Sequence, residues 1–452
     1  MLVQAMNKSE AIALFSPGLA GSAAYRIPSM ITTVNGTIIA GIDARISDMR
    51  DNPNKINTVI RRSADNGLTW SDVQQLVAYP GEGLDGAAAI DTALLQDEQT
   101  GTIWMLFSHT PGGIGLWSAE EGTGFDAKGN RLLYDSFGGV YSLQPDGRVT
   151  DGEGRATPYM VDGEGNVTIE GNSKGNIFLK KGAHPEESLL EARTSFLQII
   201  KSDDDGRTWS KPIELNPMVK EAWMKFIGAG PGRGIQLKHG AFRGRLAFPI
   251  YFSNRSGKMS CAVIYSDDHG ATWRRGASPN DGRIFGGQTV DAESLQADGG
   301  DLTESQLIEL PDGELRVYMR NHAGLQRTAV AASKDGGQTW GEVEYDQELI
   351  DPVCQSSVIV YPHMDDGKTR VLFANPADPE KRVNGTVRLS EDGGRTWKYA
   401  KQIYDGPFSY CCLTVLSDGG IALLYECDFS FSENKPITVE FTKFSLEWLM
   451  SG

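Results

Sequence analysis

One eight-residue pattern, Ser-x-Asp-x-Gly-x-Thr-Trp, occurs five times: Ser63–Trp70, Ser202–Trp209, Ser266–Trp273, Ser333–Trp340 and Ser390–Trp397. Chance does not produce such a series, so the chain is built from repeats, and repeats constrain a fold more than any composition does. Short β-type runs precede several copies, at Phe196–Ile200, Ala262–Tyr265 and Thr386–Leu389. Inside the pattern, Asp can accept from neighbouring backbone N–H groups, and Gly tolerates positive φ. Thr and Trp restart a strand, and the indole buries a large apolar surface. The pattern predicts a stapled β-hairpin turn. It pairs no nucleophile with a base, so its role is structural.

The repeated aspartates stand at 65, 204, 268, 335 and 392. The last three intervals, 64, 67 and 57 residues, each suit one four-stranded blade, and blades arranged radially make a propeller. The first interval, 139 residues, is about 75 too long for one blade. The surplus falls at 112–187, a Gly-rich stretch of turn signals such as Asp126-Ala-Lys-Gly-Asn130 and Asp162-Gly-Glu-Gly-Asn166, with β-type runs at Val140–Leu143 and Val167–Ile169 between them. The expected fold class is all-β: a six-bladed β-propeller with a small β-rich insertion in one blade. The organisation reads as 1–111 propeller, 112–187 insertion and 188–452 propeller. Helix is scarce, with Pro185–Ala192 one brief candidate.

With 43 basic and 59 acidic residues among 452, the net charge of −16 argues against a nucleic-acid partner or an acidic membrane surface. No apolar run approaches the roughly 20 residues of a membrane span. Met1–Glu10 has no hydrophobic signal core, which reads as a cytoplasmic chain or one whose signal has been removed. The five cysteines, 261, 354, 411, 412 and 427, match no zinc or disulfide framework and read as small buried hydrophobes. Ser202-Asp-Asp-Asp-Gly206 lacks the distal glutamate of a calcium loop, so no metal and no cofactor is expected.

Further motifs surround the repeats in a fixed order. Tyr25-Arg26-Ile27-Pro28 precedes the first copy, followed by Arg45 and Asp51. Ile90-Asp91 lies after the first copy. Thr303-Glu304-Ser305-Gln306 is followed sixteen residues on by Arg320. Arg382 stands just before the last copy and Tyr410 just after it. This combination, from about Leu14 to Leu449, resembles the bacterial exo-α-sialidases, in which the eight-residue repeats are called Asp boxes. Asp boxes also occur in unrelated propellers, so they speak for fold and the ordered motifs speak for function. The resemblance implies a glycosidase that releases terminal sialic acid from sialylated glycans, working as a secreted or cell-surface monomer. The expectation from these residues is a catalytic propeller without the lectin domain and cell-wall anchor of many such enzymes.

The chemistry explains these residue types. Sialic acid carries a carboxylate on its anomeric carbon, and a planar anion suits guanidinium forks better than point charges. The resemblance makes Arg26, Arg320 and Arg382 a converging triad, although Lys381 and Arg388 compete with Arg382. The substrate's charge would repel an Asp or Glu nucleophile, and sialidases use tyrosine instead. A neutral phenol with a pKa of roughly 10 needs a carboxylate to take its proton. Glu304 is that base and Tyr410 the nucleophile, with Tyr404 as rival nucleophile and Glu426 as a rival carboxylate that reads better as a support behind the reacting groups. Asp51 matches the general acid, and Asp48 is its solvated neighbour. Arg45 and Asp91 would line the pocket near the ring hydroxyl and N-acetyl groups. Two other readings remain open: trans-sialylation with the same pocket, aided by an aromatic wall in which Trp117 or Tyr251 would stand, and a non-catalytic sialic-acid-binding module.

Overall fold

The computed structural model describes residues 8–179, 188–362 and 364–451. Six four-stranded antiparallel blades form a ring. Blade 1 comprises Ala24–Thr32, Ile38–Arg45, Ile56–Ser63 and Gln74–Val77 from the axis outward. Blade 2 comprises Ala88–Gln96, Ile103–Thr110, Phe196–Ser202 and Ile213–Glu214. Blade 3 is built on Leu246–Ser253, Met259–Ser266 and Arg274–Arg275, with the short strands Ile227–Ala229 and Ile235–Gln236 inside them. Blade 4 holds Leu302–Glu309, Leu315–Asn321, Arg327–Ser333 and Glu344–Ile350. Blade 5 begins with Ser357–Val360, Val371–Pro376 and Val383–Ser390. Its outer strand is the first part of the 17-residue Tyr399–Val415, whose second part starts blade 6. Blade 6 continues with Ile421–Cys427 and Thr438–Phe444, and Ile12–Phe15 from the other end of the chain completes it.

That closure explains why six blades need five Asp boxes. Each box is the turn from the third to the fourth strand of blades 1 to 5, beginning at Ser63, Ser202, Ser266, Ser333 and Ser390. In blade 6 the fourth strand arrives from the N-terminal side, so the chain has no such turn to make. Within a box one carboxylate gathers the loop. Asp335 Oδ1 accepts from the Ser333 hydroxyl and the Thr339 amide, and Oδ2 from the Thr339 hydroxyl. Ser333 Oγ accepts from the Gly337 amide.

The box glycine does more than turn. A Cβ at Gly67, Gly206, Gly270, Gly337 or Gly394 would come within 2.3–3.5 Å of Phe441, Ile39, Trp104, Val263 or Tyr318, each on the preceding blade. The boxes therefore join blade to blade. Gly270, at φ +85° with the indole of Trp104 2.3 Å from the would-be Cβ, gives the sharpest case. Gly270→Ala combines a left-handed strain with an overpacked contact and should cost about 2–4 kcal/mol in chemical denaturation. An unfolding midpoint equal to wild type would contradict the interlocking role.

Apolar faces of neighbouring blades pack on each other. Leu95, Trp104, Leu106 and Leu197 of blade 2 meet Phe248, Ile250, Phe252 and Trp273 of blade 3. Met30, Ile38 and Ile42 of blade 1 meet Leu424, Val439 and Phe441 of blade 6. All five cysteines are buried and free. Among the described residues no helix is long and apolar enough to cross a membrane.

Between the second and third strands of blade 2 lies a separate six-stranded meander, from Arg131–Tyr134 to Asn172–Asn176, with Leu190–Glu191 added at its edge as a seventh strand. Its turns repeat one device, in which Asp126, Asp135, Asp151 and Asp162 each accept the amides two and four residues on. The helix expected over 185–192 does not form in its described part. Leu190–Glu191 is a strand paired with Tyr134 and Leu133, and burial of Glu191 against His109 and Arg131 overrides local propensity. Residues 185–187 lie outside the described residues.

Candidate active site

Four of the six innermost strands carry an irregularity at the same end of the ring. The pairing register shifts between Arg26 and Ser29, Ile90 and Ala93, Leu302 and Ser305, and Phe408 and Cys411. Bulges re-aim side chains, and here they turn Arg26, Asp91, Glu304 and Tyr410 toward the axis. Ile27 and Asp91 take positive φ (64° each), a conformation that non-glycine residues hold only under tertiary constraint.

Tyr410 and Glu304, 106 residues apart, meet at the centre, where the phenol donates to Glu304 Oε1 at 2.5 Å. Arg320 Nη1 donates to Glu304 Oε2 at 2.7 Å and to the Tyr410 oxygen at 3.0 Å. The guanidinium carbons of Arg26 and Arg382 lie 5.5 and 5.7 Å from the centre of the Tyr410 ring. Three arginines from blades 1, 4 and 5 thus surround one tyrosine. Burial, reinforced by the charge of Glu304, pushes the Tyr410 phenol well above its ordinary pKa despite Arg320 and Arg382, so it stays protonated until its neighbour takes the proton. The rival arginine is elsewhere, with Arg388 donating to Asn375. The rival tyrosine, Tyr404, packs against Tyr425.

Two of these arginines are held from behind. Glu426, fully buried, accepts from Arg26 Nε and Nη2 and from the amides of Ile27 and Tyr410, so one carboxylate fixes both bulges. Arg382 donates to Ser409 Oγ and to the Val353 carbonyl. Arg45, buried behind the loop 46–55, donates to the Met49 carbonyl and pairs with Asp51 at 2.6 Å. Asp51 also faces Arg26 at 3.5 Å, with 65% of its side chain exposed at the pocket mouth. Burial of its surroundings would raise its pKa, but Arg45 and Arg26 outweigh that and hold it at about 2. Asp48 turns the other way and binds Arg50.

Two residues of the site escaped the reading of the sequence. Asp43, fully buried, pairs with Arg45 and accepts the Asp91 amide at 3.0 Å. Alternation along Ile38–Arg45 puts Asp43 and Arg45 on one strand face, which was the available signal. Phe431, 49% exposed on a loop of blade 6, stands with its ring 5.8 Å from the Arg26 guanidinium. The two wall candidates separate. Tyr251 is buried and donates to Asp91 at 2.8 Å, whereas Trp117 is 75% exposed.

Burial first, then the charge of Glu304, pushes the Asp91 carboxyl up to about 7. Its proton is therefore bound more tightly in the folded protein than in the unfolded chain, where the pKa is about 3.9. The stability this contributes is complete below about pH 4 and lost as pH rises through about 7. The Tm of the wild type should fall across that window more steeply than that of Asp91→Asn. Parallel Tm curves for the two proteins would contradict the assignment.

Similar proteins follow the same outline. Residues 162–423 match the family model of the BNR repeat-like domain. The anhydrosialidase of Macrobdella decora is 31% identical over 93% of this chain and 60% of its own length. The sialidase of Micromonospora viridifaciens is 28% identical over 96% of this chain and 53% of its own. The chain thus spans little more than half the length of these relatives. Among solved structures, the intramolecular trans-sialidase from Ruminococcus gnavus superposes with a TM-score of 0.82 at 29% identity, covering 99% of this chain and all of that one.

Proposed function

Because the chain belongs to the bacterial exo-sialidase family, we propose that it cleaves terminal α-linked sialic acid from glycans with retention of configuration. The observation that carries this reading is the 2.5 Å contact of the Tyr410 hydroxyl with Glu304 inside a ring of three arginines. Arg26, Arg320 and Arg382 clasp the substrate carboxylate. The Tyr410 oxygen attacks the anomeric carbon while its proton passes to Glu304. The bond to the leaving glycan breaks, and Asp51 protonates the departing oxygen. In the second half, Asp51 takes a proton from water as that water attacks the same carbon, and Tyr410 leaves with the proton held by Glu304. Arg45 positions Asp51, while Asp91 and Arg45 border the ring substituents. No step calls on a metal or cofactor.

A second reading keeps the first half and changes the acceptor. Phe431 beside Arg26 would cover the face from which water approaches, so a hydroxyl of the sugar's own glycerol side chain could close on the anomeric carbon instead. Similarity to the anhydrosialidase of Macrobdella decora and to the intramolecular trans-sialidase of Ruminococcus gnavus supports this reading. Proton NMR of a 3′-sialyllactose digest separates the outcomes. Release of the α-anomer of free sialic acid first supports retaining hydrolysis, and a product lighter by one water supports intramolecular transfer. The β-anomer first would overturn both. Arg320→Lys should raise KM and lower kcat, because it loses the fork that binds the anion and also grips Glu304 and Tyr410. Unchanged kinetics would remove Arg320 from the site.

A further inference from the structure

The axial channel has a second mouth, on the face opposite the arginine ring. The innermost strands run from the site residues at one end to Thr32, Gln96, Glu309 and Val360 at the other, where they enclose a cavity of about 690 Å³. Its apolar lining comes from five blades, with Ile31, Leu95, Ile235, Leu307, Val358 and Ile359, and polar side chains such as Thr32, Gln96, Gln236 and Thr369 share the wall. A belt of amide side chains lies between it and the catalytic end. Gln306 and Gln355 both donate to the Pro231 carbonyl, and Gln355 exchanges two further bonds with the backbone of Cys411, tying blades 3, 4, 5 and 6 across the axis.

One group in this chamber is unanswered. Arg233 lines it, forms no ion pair among the described residues, and has a buried Nε with no hydrogen-bond partner. Of the other charges nearby, Glu98 attracts Arg233 from a distance but is in contact with Lys238, Lys368 pairs with Glu391, and Glu309 accepts the Lys238 and His239 amides. A partly buried guanidinium with an orphaned nitrogen and no carboxylate in contact is costly unless an anion joins it. The volume lies within the range of small-molecule sites, which combine apolar walls with a few polar groups that fix orientation.

We propose that this chamber binds a free, small amphipathic carboxylate, its hydrocarbon body against the apolar walls and its anion on the Arg233 guanidinium. The site is separate from the catalytic pocket and takes no part in the reaction. Calorimetric titration with decanoate tests it, with decanol as the neutral analogue. Wild type should bind decanoate saturably at one site, at least tenfold tighter than decanol. Arg233→Met, which keeps the stem and removes the charge, should weaken decanoate at least tenfold. Val360→Trp, at a half-buried position of the lining, should abolish binding by occupying the chamber. Both variants should cleave sialosides with wild-type kcat/KM, so a failed titration leaves the catalytic reading untouched and the reverse holds too. The absence of saturable decanoate binding in wild type would overturn the proposal. So would equal affinity for decanol, or undiminished affinity in Arg233→Met. Should Arg233→Met not fold, the decanoate and decanol comparison on wild type decides alone.

Discussion

Replacing Asp51 by alanine is expected to lower kcat/KM on 3′-sialyllactose by about 10²–10⁴-fold, while a 4-methylumbelliferyl sialoside keeps most of its rate. A sugar alkoxide is a poor leaving group and needs a proton as the bond breaks. The umbelliferyl oxygen is a far weaker base and needs little help. Asp51 is placed for that role at the pocket mouth, in contact with Arg45 and Arg26, where a departing glycan would lie. In the free protein these guanidinium groups hold its carboxyl at about 2, so it is ionised at neutral pH. Binding a substrate carboxylate at Arg26 offsets part of that charge and expels water, and both effects favour the protonated acid. The alkaline limb of kcat should accordingly lie at higher pH than that of kcat/KM, and coincident limbs would contradict this account. Asp48→Ala should match wild type on both substrates, since Asp48 faces Arg50. Equal losses on both substrates in Asp51→Ala would assign Asp51 to binding or folding instead.

Glu304→Gln should lose about 10²–10⁴-fold in kcat on both substrates alike. The amide cannot take the proton that Tyr410 must shed before its oxygen attacks. It also leaves Arg320 without its carboxylate partner, which adds to the loss. The insensitivity to leaving group separates this variant from Asp51→Ala, because nucleophile activation is needed whatever departs. A Glu304→Gln enzyme with near wild-type kcat on either substrate would remove Glu304 as the base. A loss confined to sialyllactose would make it a second acid.

Much of this is legible in the sequence itself. Five boxes spaced by one blade length imply a propeller, because a turn that repeats at that interval has few other uses. The lack of a sixth box is not interpretable there, since closure by Ile12–Phe15 depends on two ends of the chain that carry no shared motif. The meeting of Tyr410 with Glu304 is a contact across the ring, and spacing alone cannot show it. It came from the resemblance and now has a distance. Glu426 reads from the sequence as a support rather than the base, but its burial and its four bonds to Arg26, Ile27 and Tyr410 leave no trace in the chain. Asp43 could have been found from its alternation with Arg45. Phe431 could not, for it sits in an irregular loop whose direction only the packed structure fixes.

The central claim is covalent attack by Tyr410, and trapping the adduct tests it most directly. A 3-fluoro sialosyl fluoride carries a leaving group that needs no acid, and its second fluorine slows release of the enzyme-bound sugar. Digestion and mass spectrometry should then find the fluorosialosyl group on the peptide containing Tyr410, on the tyrosine itself, with none in Tyr410→Phe. Label on any other residue, together with a fully active Tyr410→Phe, would contradict the account.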